Sequence, residues 1–370
     1  MKIARLLILL GCMSLHAQDN YNLIVGTYTN ACPSKGIYVY DFNAATGETK
    51  LKNSTEDVIN PSYVTVSGDN KFLYSVNENG EESTVSAFKY NAATGKIELI
   101  NKKDSKGADP CYIINDDKHV IVANYSGGTI AVFGKDKHGG ITKAKQVIKH
   151  NGSSLNKQRQ ESAHVHMVYF SPDKKYVFAN DLGTDKIYVY KYDKDTDDED
   201  SILVLANTID VKGGSGPRHL AFSPNGVFFY VLQELDGTLT SYSYVKGKVE
   251  KVQETTIVAA GFTGQTGAAD IHISHDGKYL YATNRGDANT ITVFKVHANG
   301  RINQVQQITT EGQGPRNFAF GPKENYLLVA NQISNDIILF KRDKTTGLLT
   351  DTGKCIELCS PVCLVFTPAK

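Results

Sequence analysis

Apolar and polar positions alternate with a period of two over most of the chain, in short blocks separated by turns rich in Gly, Asn, Asp, Ser and Pro. Such blocks predict antiparallel hairpins, and no segment sustains the 3.6-residue period of a helix. The blocks also repeat. Segments beginning at Pro61 (PSYVTVSGDNKFLYSVNE), Pro110, Val165, Pro217, Ala268, Pro315 and Pro361 each read as an apolar strand, a polar turn and a second apolar strand. Successive starts lie 49, 55, 52, 51, 47 and 46 residues apart. A third, alternating strand is predicted at 84–90, 129–133, 186–192, 238–244, 290–296 and 336–342, followed by a more hydrophilic fourth, as at 96–100 and 248–253. Four strands per unit at this period indicate an all-β, seven-bladed β-propeller with four antiparallel strands per blade, rather than a helical solenoid. The seventh copy stops after its first strand, at Lys370, and its missing strands are predicted at 22–27, 36–42 and 48–51. The last blade is therefore expected to be closed by strands from both termini, which leaves no unpaired edge in the ring.

Composition adds little to this and excludes some functions. Of 370 residues, 41% are hydrophobic, and 40 Lys and Arg against 39 Asp and Glu give a net charge of +1. Without a basic stripe, nucleic acid is not an expected partner. The acidic run at 195–200 reads as a solvated loop, since it lacks the spacing of a calcium loop. At the N-terminus, Lys2 and Arg5 precede the apolar run 6–10, and small Ala17 fits a cleavage point. Residues 1–17 are read as a signal peptide, 18–370 as a single propeller domain, and the destination as periplasmic or secreted. Lipidation at Cys12 is the competing reading. No other stretch approaches the ~18 apolar residues of a membrane span. A monomer or weak oligomer is expected. The five remaining cysteines cannot all pair within one chain; one or two disulfides are compatible with export, but buried free thiols are preferred for Cys355, Cys359 and Cys363.

In a propeller the first strand of each blade is nearest the axis, so one repeat position forms a ring around the channel. The second residue of each unit gives Ser62, Cys111, His166, Arg218, Ala269, Arg316 and Val362. The residue just beyond the second strand gives Glu78, Tyr125, Asp181, Glu234, Arg285 and Gln332, with a one-residue gap in repeats two and three. Elsewhere the copies are interchangeable and apolar; here they differ and carry ionisable groups. A purely structural repeat would be uniform at these positions. The group His166, Arg218, Glu234 and Arg285 falls on three consecutive blades and combines complementary charges.

The stretches Asn124-Tyr-Ser-Gly-Gly-Thr, Asp181-Leu-Gly-Thr-Asp-Lys-Ile, Gly216-Pro-Arg-His, Ala269-Asp-Ile-His-Ile-Ser, Asn284-Arg-Gly, Gly314-Pro-Arg-Asn-Phe and Val329-Ala-Asn-Gln resemble the propeller-type 6-phosphogluconolactonase family. That family is related to fungal carboxymuconate lactonising enzymes. The resemblance covers nearly the whole mature chain, and it implies a catalytic His, Arg, Glu, Arg group matching His166, Arg218, Glu234 and Arg285. Opening a sugar lactone requires an activated water and a stabilised oxyanion. His166 or Glu234 is the candidate base, His166 preferred, and Arg218 and Arg285 would stabilise the oxyanion or grip an anionic group. His164, Asp181, His219, Arg316, Glu78 and Tyr125 are the candidate substrate contacts.

No G-x-S-x-G or H-E-x-x-H signature is present. His164 and His166, two apart on a predicted strand, are a candidate metal pair with Asp181, Glu78 and Asn180. Without a clear third ligand the expectation is a site with no metal and no cofactor. Because fold does not fix function, a non-catalytic propeller that binds a sugar acid or carbohydrate is the alternative.

Overall fold

The computed structural model describes residues 19–370 apart from Lys246. It contains seven four-stranded antiparallel sheets, and six of them follow chain order: blade one spans 64–104, two 110–149, three 165–210, four 217–256, five 266–309 and six 315–357. The seventh sheet has the order Pro361–Pro368, Asn20–Thr27, Ile37–Asn43, Thr49–Ser54. The C-terminal strand thus pairs with the N-terminal one, Leu23 opposite Phe366 and Val25 opposite Leu364, as the truncated repeat predicts. Among the described residues the only helical element is one 3-10 turn, Glu199–Ser201, inside the acidic run. No helix there is long and apolar enough to cross a membrane.

The core is a set of apolar layers between neighbouring blades. Tyr40 and Phe42 of blade seven pack with Tyr326 and Leu339 of blade six, while Val85 and Tyr74 of blade one meet Val122 and Phe133 of blade two. Each layer uses the inward positions of period-two strands, so every blade solves the same packing problem. Outer strands such as Lys96–Asp104 and Lys248–Thr256 are half-exposed, consistent with their hydrophilic sequences.

Ring closure also decides the cysteine chemistry. Cys32 and Cys359 form a disulfide across 327 residues of sequence. This corrects the expectation of free thiols at 359. Once the terminal strands pair, the loop after the first strand lies against the turn before the last, a proximity that spacing along the chain does not reveal. Cys111 and Cys363 are buried free thiols, whereas Cys355 is exposed.

Candidate active site

The inner strands share an irregularity that places the site. In blade four Pro217 pairs with Gln233 and His219 with Leu232, so Arg218 is an extra, bulged residue. The same shift occurs around Cys111, His166, Arg316 and Val362. A β-bulge bends the strand and re-aims side chains. Repeated around the ring, it turns His166, Cys111 and Arg316 toward one mouth of the channel. There a cavity of about 570 Å³ is lined by Glu78, Asp109, Cys111, Tyr125, Ser126, Arg159, His166, Glu234, Arg285, Arg316, Gln332 and Ile333, together with glycines 267, 286 and 314. The ring below it, one residue further along each strand, closes the channel: Tyr63 stacks on Tyr112 at 4.0 Å, and Tyr112 meets His219 edge-on at 5.2 Å.

Glu234 organises the cavity. Its Oε2 accepts from Arg218 Nε (2.9 Å) and lies 3.1 Å from Arg285 Nη2; its Oε1 accepts from Arg159 Nη2 (2.6 Å). Burial alone would raise the carboxyl pKa, but Arg285, Arg218 and Arg159 outweigh it and hold the group at about 2. Glu234 is therefore a fixed anion at neutral pH. Arg285 is further held by its Nε donating to Gly267 O (2.9 Å).

His166 Nε2 lies 3.9 Å from Glu234 Oε2. Burial, together with Arg218, His219 and Arg316, drives its pKa well below the usual imidazole value, so the ring is neutral at neutral pH. Its Nδ1 faces the Cys111 thiol at 3.7 Å, and the Tyr125 ring sits edge-on at 5.4 Å. Burial pushes the Cys111 thiol far above its ordinary pKa, so it is not a thiolate nucleophile.

A second polar group centres on Glu78 and Arg316, which also line the cavity. Tyr28 donates to Glu78 (3.0 Å to each oxygen), Ser62 Oγ also donates to Glu78, and Arg316 Nη2 donates to Tyr28 Oη at 2.9 Å. Burial raises the Glu78 pKa while Arg316 opposes it. Among the described residues no carboxylate lies within ion-pair distance of Arg316, so its charge is available to the cavity.

The remaining sequence candidates lie outside the cavity lining. Arg218 sits beneath it, with Nη1 donating to His219 Nε2 (3.1 Å) and to Ala269 O. A guanidinium only donates, so His219 must donate from Nδ1 to Asp270 Oδ1 (2.8 Å). His219 therefore supports Arg218 from below. His164 stacks on Tyr125 (4.5 Å) and reaches Glu161 and the Tyr125 carbonyl, so it braces the Tyr125 wall. Asp181 is fully buried away from the cavity, where Oδ1 accepts from the amides of His164, Gly183 and Thr184 and Oδ2 pairs with His150. Strand pairing shifts the ring position of repeat three by one residue from Asp181. Val165 pairs with Asp181 as Pro217 pairs with Gln233, so Leu182 occupies the ring position and Asp181 matches Gln233. Among the described residues no cluster of three His, Cys, Asp or Glu side chains converges as a metal site.

The repeat positions do not single out Asp109, Ser126 and Arg159 of the cavity lining, nor Tyr28, which hydrogen-bonds to Arg316. Tyr28 follows Thr27, which pairs with Pro361 as Gln233 pairs with Pro217; extending the ring to the N-terminal strand would have found it. Arg159 belongs to no repeat position. Its only signal was the length of the connection at 150–164.

The profile of the family described as lactonase, seven-bladed β-propeller, matches residues 22–366. The chain belongs to this family. A protein from Formosa agariphila named 6-phosphogluconolactonase is 38% identical over 333 residues, 88% of this chain and 94% of that protein. A Bacteroides fragilis structure named as a candidate 6-phosphogluconolactonase is 41% identical with a TM-score of 0.90, covering 94% of this chain and 98% of that one. The periplasmic gluconolactonase of Pseudomonas aeruginosa is 36% identical, also at TM-score 0.90, covering 95% of this chain and all of that one. Lactonase membership accords with a pre-formed polar cavity in which one buried carboxylate holds several arginines beside a neutral imidazole.

Proposed function

We propose that this cavity hydrolyses a sugar lactone, either 6-phosphogluconolactone or an unphosphorylated aldonolactone, to the open acid. The observation that carries the reading is the buried Glu234 carboxylate with Arg218 and Arg285 on one oxygen and neutral His166 beside it. His166 takes a proton from water as it attacks the lactone carbonyl. Arg285, fixed by Glu234 and Gly267, meets the negative charge that develops on the carbonyl oxygen, the usual task of a pre-oriented donor. Glu234 has Arg218 and Arg285 on one oxygen and Arg159 on the other, so it serves as the anchor of the arginines rather than as the base. Arg316, steadied by Tyr28, lines the same space and suits hydroxyl or anionic groups of the substrate. The named relatives support lactone hydrolysis, and the periplasmic gluconolactonase supports an exported enzyme acting on a lactone formed outside the cytosol. The N-terminal residues that carry the proposed export signal lie outside the described residues. The reading is tested by following acid release from δ-gluconolactone and from its 6-phosphate, with Arg285→Ala as the comparison.

A further inference from the structure

The lactone that enters is uncharged at the reacting carbon, whereas the product is an anion there. Water oxygen bonds to the acyl carbon, the ring C–O bond breaks, one proton goes to the leaving oxygen, and the new acid loses its proton at neutral pH. On the reading above, a second carboxylate thus forms beside Glu234, in a site of low dielectric where like charges repel strongly.

Arg159 is placed to meet it. It is the one ligand of Glu234 that does not come from a strand, and its side chain is 44% exposed against 6% for Glu234 and 2% for Arg218. It sits at the cavity mouth, where Nη2 reaches both Glu234 Oε1 (2.6 Å) and Tyr125 Oη (3.2 Å). Its backbone is fixed. The neighbouring Gln160 is buried and donates to Leu182 O (2.8 Å), its carbonyl accepts from Ser154 N (2.9 Å), and Ser154 Oγ donates to Asp185. Gly183 lets this connection approach so closely that an added Cβ would lie 1.9 Å from Ser162 O. What can move is the long, half-exposed side chain. Glu234 retains Arg218 and Arg285 on its other oxygen when Arg159 turns away.

We propose that Arg159 exchanges Glu234 for the newly formed product carboxylate, so that it is a product-binding residue which governs affinity for the aldonate far more than affinity for the neutral lactone. A charge-assisted contact of this kind corresponds to about tenfold or more in affinity.

The test titrates gluconate into the wild-type protein and into Arg159→Met and Arg159→Lys by calorimetry, alongside gluconate inhibition constants and KM for δ-gluconolactone. The expected result is a gluconate affinity about tenfold or more weaker in Arg159→Met, a KM change several-fold smaller, and partial rescue in Arg159→Lys. Unchanged gluconate affinity would overturn the proposal, as would KM and product affinity weakening in parallel, which marks a merely structural arginine. Gluconate binding that depends on Arg159 without any lactone turnover would keep this proposal and refute the lactonase reading; turnover with Arg159-independent product binding would do the reverse.

Discussion

Arg218 Nε donates to Glu234 Oε2 at 2.9 Å, with both side chains buried, Arg218 beneath the cavity and Glu234 in its lining. The two come from the same blade, sixteen residues apart, and meet because Arg218 is the bulged residue of its strand. Removing one partner of a buried pair leaves the other charge uncompensated, at a cost of about 3–5 kcal/mol. Glu234→Gln keeps the shape and removes the charge, leaving three guanidiniums without their anion. Denaturant titration is expected to show a destabilisation of this order, and steady-state kinetics a fall in kcat larger than any change in KM.

Glu234 and His219 shape the acid side of the stability profile, with His166 acting in the same direction as His219. Glu234 titrates at about 2 rather than 4.5, so its stabilisation is present above pH 4.5 and is lost as pH falls through 2. His219 is lowered to about 4 from 6.5, burial being the main cause and Arg218 the next. The unfolded chain takes up that proton near 6.5 and the folded chain only near 4, so stability declines as pH falls through this interval. Denaturation midpoints are expected to drop from pH 6.5 downward, and His219→Gln to lessen the slope between 6.5 and 4, the His166 contribution remaining.

His166→Asn removes the proposed base. Turnover is expected to fall by about 10²–10⁴-fold, the usual contribution of a positioned base. Because His166 is neutral in the fold, thermal stability is expected to change far less than in Glu234→Gln. Comparable losses of stability in the two variants would contradict the assignment.

The fold was legible because seven blades pose one packing problem and the sequence answers it seven times; even the strand at 186–192 was placed at its observed bounds, Lys186–Tyr192. His166, Glu234 and Arg285 stand out in the sequence because their ring positions break that uniformity, and the fold brings all three to one cavity. Asp181 looks like a ring member in the sequence because it is an acidic residue next to a ring position, but strand pairing puts Leu182 there. Arg159 lies on an irregular connection, where neither period nor register constrains a side chain. Tyr28 and the Cys32–Cys359 bond depend on which strand the N-terminus joins, information that appears only when the ring is closed.

The disulfide reinforces that closure from outside the sheet. Reduction, or Cys32→Ser with Cys359→Ser, is expected to lower stability by about 2–4 kcal/mol without abolishing the fold, because the paired terminal strands remain. Melting curves with and without reductant check this. The double-serine variant should be insensitive to reductant.

The central claim is that the Glu234-anchored arginine cavity opens lactones. The most direct measurement is acid release from δ-gluconolactone and 6-phosphogluconolactone by the purified protein, with and without chelator, beside Arg285→Ala. The account predicts turnover that survives chelation and falls by about 10²-fold or more in Arg285→Ala, in line with loss of one oxyanion donor. Rates equal to spontaneous hydrolysis on both lactones, or full activity in Arg285→Ala, would contradict it.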